Sequence, residues 1–149
     1  MTTWQYHVNL DRALGRISLS AIGKAPLEGS VIPVSSGENP EIHLLRPEGE
    51  DWVFDNIVFS VFSTPTNTLT AQSANPPPLP ITLYDFTLSP LVFDVILLSL
   101  GPAEISFSNA NNLGANQVGA ATIDFRIVIK ASNVVYISQD PQLRDNPGG

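Results

Sequence analysis

The stretch ATIDFRIVIKA, residues 121–131, alternates apolar and polar side chains almost without a break. Ile123, Phe125, Ile127 and Ile129 fall on one side, with Asp124, Arg126, Val128 and Lys130 on the other. A period of two buries one face of a strand and wets the other, whereas the same pattern on a helix spreads apolar residues around the whole circumference. The period recurs along the chain. TWQYHVNLD sets Trp4, Tyr6, Val8 and Leu10 against Gln5, His7 and Asn9, and GRISLSAIG turns Ile17, Leu19 and Ala21 inward. Further strands are expected at Ile57–Phe62, at Ile81–Leu88, in LVFDVILLSL, in EISFSN and in NVVYIS. The tight KASN connection between residues 121–131 and NVVYIS reads as a hairpin.

No segment keeps a 3.6-residue apolar spacing with caps at its ends; NLDRALGR has room for one helical turn or a short loop. Eight or nine strands punctuated by Pro, Gly and Asn predict an all-β fold. The expected architecture is an antiparallel two-sheet β-sandwich, immunoglobulin-like or jelly-roll-like, with a closed barrel as the alternative. The length of 149 residues fits a single domain, expected over residues 1–139 and followed by a Pro/Gly-containing tail at 140–149. With 43% apolar and 14% charged residues the chain has the makings of a folded core.

Charge narrows the partners. Seven basic residues against fourteen acidic ones leave a net charge of −7, a poor match for nucleic acid or anionic membrane. The longest apolar run is broken by Asp94 and is too short to span a bilayer. The chain has no cysteine, no Asn-x-Ser/Thr acceptor and no basic-then-apolar leader, which together predict a cytoplasmic protein.

Chemistry finds little purchase. Two histidines, His7 and His43, and no thiol are too few for a zinc site. The acidic PEGEDWVFD stretch has oxygen ligands for calcium but lacks a calcium-loop pattern. There is no Gly-x-Ser-x-Gly elbow, so neither catalytic residue, metal nor cofactor is expected, and the chain is read as a non-enzyme. A sugar-binding reading is better supplied: an exposed Trp52 would offer a stacking face, with Asp51, Asn111 and Asn112 as polar partners, although packing as the anchor of its acidic loop is the favoured reading of that indole. The run Pro76, Pro77, Pro78 and Pro80 predicts a stiff, extended connection.

The chain closes on VVYISQDPQLRDNPGG. Here a strand containing Tyr136 and Ile137 is followed by Asp140, Pro141, Leu143, Asn146 and Pro147, in the order Asp-Pro-x-aliphatic-x-x-Asn-Pro. This ending resembles two groups of bacterial sandwich proteins. One is the DP-EP family of small proteobacterial proteins; the other is the inclusion-body protein family, whose members are generally longer. The resemblance implies a cytoplasmic sandwich able to self-associate. An edge strand such as NVVYIS, which carries no charge, is open to pairing with a second copy. The tail has three possible fates: a frayed terminus, Leu143 packed on its own domain, or a wrap around a neighbour. The functional expectation is a protein-interaction or self-assembling module. A small-ligand module, carbohydrate first and with calcium in support, is the alternative, and a structural unit of a virion or secretion device is the third reading.

Overall fold

The computed structural model describes residues 2–61, 68–72, 81–84, 93–111, 121–139 and 141–146. Twelve strands lie among them. They are β1 (Thr3–Asp11), β2 (Arg16–Ala21), β3 (Val31–Val34), β4 (Glu41–Leu45), β5 (Val53–Val61) and β6 (Thr68–Gln72), then β7 (Ile81–Tyr84), β8 (Phe93–Leu100), β9 (Glu104–Asn111), β10 (Ala121–Ala131), β11 (Val134–Ile137) and β12 (Gln142–Asp145). They form one sheet in the order β2-β1-β4-β9-β8-β7 and another in the order β3-β12-β10-β5-β6, with β11 also paired to β10. The fold is an all-β, two-sheet sandwich, as the alternation predicted.

The two sheets meet through rings. Phe107 of β9 lies edge-on to Phe59 of β5 at 5.3 Å and to Phe125 of β10 at 5.5 Å. Around them the inward residues of the alternating strands are buried: Trp4, Tyr6 and Val8 from β1, Ile42 and Leu44 from β4, Ile127 and Ile129 from β10. Such edge-to-face pairs add to the burial of apolar area that holds the layers together.

Three features depart from expectation. The sheets are mixed, because β1 pairs with β4 and β12 with β3 in parallel. Between β1 and β4 the chain crosses to the other sheet to lay down β3, so it returns in its starting direction. The strand expected from Ile57 begins at Val53, because a bulge opposite Val128 and Ile129 inserts Asp55 and lets both Phe54 and Ile57 point inward. The third concerns the end of the chain. A domain ending at residue 139 is corrected here, because β12 sits inside its sheet between β10 and β3, with Leu143 fully buried.

Candidate functional site

β10 carries two strands on one flank. β11 pairs with its C-terminal half from Val128↔Ile137 to Ala131↔Val134, and β12 with its N-terminal part from Asp124↔Gln142 to Ala121↔Asp145. The pairing sums differ by one residue, so a single extra residue is taken up between Ser138 and Pro141. Ser138 marks the break: its amide donates to the Ile127 carbonyl at 3.0 Å, while its hydroxyl accepts the Ile127 amide at 2.7 Å. The Pro141 carbonyl then picks up the Phe125 amide, and the chain resumes as β12.

Beyond β12 lies β3, in register from Gln142↔Val31 to Asp145↔Val34. Extended backward, β3 would run along β11. It does not, because the chain turns away at Gly29–Ser30, where the Glu28 and Val31 backbones exchange hydrogen bonds of 2.8 and 3.0 Å and Gly29 takes φ +64°. The flank of β11 is therefore a strand-shaped slot in line with β3. No strand pairs there among the described residues.

Ladder phase shows which groups face the slot. Hydrogen-bonded and non-hydrogen-bonded pairs alternate along an antiparallel ladder. The Ser138–Ile127 bond places Tyr136 and Val134 in the bonded positions, so the amides and carbonyls of Val135 and Ile137 point away from β10. Their surroundings are apolar and open: Val134, Val135 and Ile137 are 50%, 53% and 55% exposed, whereas Tyr136 packs against the core. Beside Ile137 a cleft of about 540 Å³ reaches between the two sheets to β2, over a floor formed by Ile17 and Ile127. Leu14, 68% exposed in the β1–β2 turn, also lines it, and Arg16 is the one charged residue among its described lining.

Native sandwiches guard open edges with proline, charge or cover. Of the edge strands whose side chains are described, β3 carries Pro33 and β2 carries Arg16. β11, with the sequence VVYI, carries neither.

The sugar-site candidates do not come together. Trp52 is fully buried, edge-on to Phe54 at 5.1 Å, so it offers no face to a ring. Of the two readings of Trp52, the packed anchor is the one the fold adopts: the acidic loop before it is held by that indole and by Arg46, which donates to the Trp52 carbonyl at 2.8 Å. Asp51 is exposed and paired with Arg12. Asn111 is buried and donates to the carbonyls of Val34 and Asn146 at 2.8 Å. Asn112 lies outside the described residues, as do Asp140, Pro147 and the proline run.

Asn111 belongs to a polar end of the core that pattern reading missed. The inward face of β9 runs Ile105, Phe107, Asn109, Asn111, and Asn109 donates across to Asp145 of β12 at 2.7 Å. Burial pushes the Asp145 carboxyl up to about 7, against the lowering effect of the Asn109 bond. Asp145 Oδ2 and Asn109 Oδ1 are buried, with no hydrogen-bond partner among the described residues. A neutral carboxyl at Oδ2 is a donor, which suits that pair.

His43 of β4 is also committed. Its Nε2 lies 3.0 Å from Glu41 and its Nδ1 meets Glu104 of β9. Partial burial opposes the ring's charge, but the bonds and charges of the two glutamates prevail and raise its pKa above the usual histidine value. With both nitrogens held by carboxylates, neither is available to activate a serine.

No protein-family model matches this chain, and no curated protein matches it. Among the described residues no helix is long and apolar enough to cross a membrane.

Proposed function

We propose that this chain is a non-catalytic, cytoplasmic protein-interaction module that takes up an extended segment by strand addition along β11. The observation that carries the reading is the unguarded β11 flank, with the Val135 and Ile137 backbone groups facing a slot beside an apolar cleft. Main-chain hydrogen bonds supply affinity in this mode, and alternate side chains seated in the cleft supply selectivity. The resemblance to the DP-EP family belongs to the same proposal. Its aliphatic tail position, Leu143, is the buried apolar residue of β12, so we assign the Asp-Pro ending to closing the sheet next to the slot.

The test is a nuclear magnetic resonance titration with a synthetic peptide of residues 133–138, beside the same peptide N-methylated at Val135 and Ile137. Strand addition predicts shifts confined to Leu14–Leu19 and Val134–Ile137 with the first peptide and none with the second. Shifts elsewhere, or equal shifts from both peptides, overturn the reading.

A further inference from the structure

The slot beside β11 fits one occupant especially well: β11 of a second copy. We propose that two chains pair antiparallel through β11 about a two-fold axis at Tyr136, joining their second sheets into one. This names the partner for the strand-addition surface proposed above and rests on that reading.

The argument begins with ladder phase. A two-fold antiparallel pair centred on Tyr136 sets Val135 opposite Ile137 of the second copy, and Ile137 opposite its Val135. Those residues are the ones whose amides and carbonyls point away from β10. Each pair then exchanges both backbone bonds, and Tyr136 faces its own counterpart in the intervening non-bonded position. Centring the axis on Val135 or Ile137 instead leaves one bonded pair within β11 and draws the others from Asn133 in the turn or Gln139 beyond the strand, so the Tyr136 register is the one that pairs all the outward groups of β11 with each other.

Side chains agree with that register. Residues directly opposite share a face, so the half-exposed Val135 and the Ile137 of the second copy cover each other. Tyr136 is already turned toward the core, and pairing extends that packing across the axis.

Charge selects the partner. Two copies at −7 each repel over most of their surfaces, and contact costs least where acids are absent. β11 has no charge, and Arg16 is the one charged residue among the described lining of the adjoining cleft. Glu28 at the rim is engaged by Arg144. The interface is isologous, so the assembly closes at two and does not propagate into a fibre.

Sedimentation velocity over a concentration series tests this on the wild-type chain, on Val135→Pro and on Val135→Lys. Proline at 135 removes an outward amide that the β10 ladder does not use, so the fold persists. Lysine sets a charge against Ile137 of the second copy, a change that edge strands tolerate. The expected result is a species of twice the 16.0 kDa chain mass for the wild type, with loss of that species in both variants at unchanged circular dichroism. Because the chain has no cysteine, Tyr136→Cys adds a register test: it should cross-link to a covalent dimer on oxidation, whereas Val134→Cys should not. A wild-type monomer that still takes the 133–138 peptide overturns self-pairing and leaves strand addition standing. A monomer that takes no peptide removes both. A dimer that survives in both variants places the interface elsewhere and overturns the proposal.

Discussion

Asp145→Asn should raise stability above neutral pH and remove most of its acid dependence. Asp145 is fully buried at the polar end of the core, bonded to Asn109, with its carboxyl pushed from 3.8 up to about 7 by burial. The nearest charged side chain along its strand, Arg144, is engaged by Asn146 and Glu28. Below pH 4 both the folded and unfolded chains hold the proton, and the cost of burying a charge is absent. As pH rises the unfolded chain releases its proton first, so stability falls until the folded carboxyl ionises near 7 and is flat above that. Three units or so of difference amount to roughly 4 kcal/mol at most, on the order of 10 °C in melting temperature for a domain of this size. Asparagine is neutral at every pH and can return a hydrogen bond to Asn109 Oδ1. Melting curves of both chains between pH 4 and 8.5 should converge at the acid end and separate above pH 5, with the variant the more stable. Parallel profiles, or a variant that is weaker at pH 8, would refute the assignment of a neutral buried carboxyl.

Three further outcomes follow from the same structure. His43 gains stability from Glu41 and Glu104 only while charged: the gain is full below its unfolded value of 6.5 and is lost as pH rises through its raised folded pKa. His43→Gln should therefore cost about 1 kcal/mol at pH 6 and little at pH 9, in paired chemical denaturations. Leu143→Ala should cost roughly 2–5 kcal/mol, measured by urea unfolding, because it opens a cavity between β10 and β3; a frayed tail would give no change. Ser132, the first residue of the two-residue β10–β11 turn, holds φ 54°, so Ser132→Gly should gain about 1 kcal/mol of thermal stability without altering assembly.

Much of the architecture is written in period two. β1 and β10 follow it closely, and their described inward residues lie in or against the core, whereas β2 follows it through Ile17 and Leu19 and leaves Ala21, expected inward, exposed. The β10–β11 hairpin was equally plain from two apolar runs separated by a polar pair. What stayed hidden has local causes. β3 contains Pro33, which argues against a strand unless the residue sits on an edge, as it does here. β4 is five residues long inside an acidic stretch, and it becomes a strand through its ladders to β1 and β9 and the burial of Ile42 and Leu44 in the core. β12 offers one apolar residue, Leu143, and an aspartate that becomes buried only because Asn109 waits on the opposite sheet. Asn109 and Asn111 resemble turn residues in sequence, and the continuation of the Ile105–Phe107 alternation was the signal that places them inside.

The site was half legible. The absence of charge in NVVYIS marked a vulnerable edge, and β11 is the least guarded of the edge strands with described side chains. The slot itself depends on the turn at Gly29, which is distant in sequence and leaves the β11 flank without a paired strand among the described residues. Trp52 was undecided in sequence between a binding face and a loop anchor, because an indole after a run of acids suits both, and tertiary packing against Phe54 makes it the anchor.

The most direct test of the β11 surface is amide hydrogen exchange at residues 134–137 across a dilution series. Val134 and Tyr136, bonded to β10, should stay protected at every concentration. Val135 and Ile137 should exchange quickly when dilute and gain protection as concentration rises and the slot fills. Equal protection of all four amides at high dilution would mean that the edge is already covered within the chain, and fast exchange of Val135 and Ile137 at every concentration would mean that nothing pairs there.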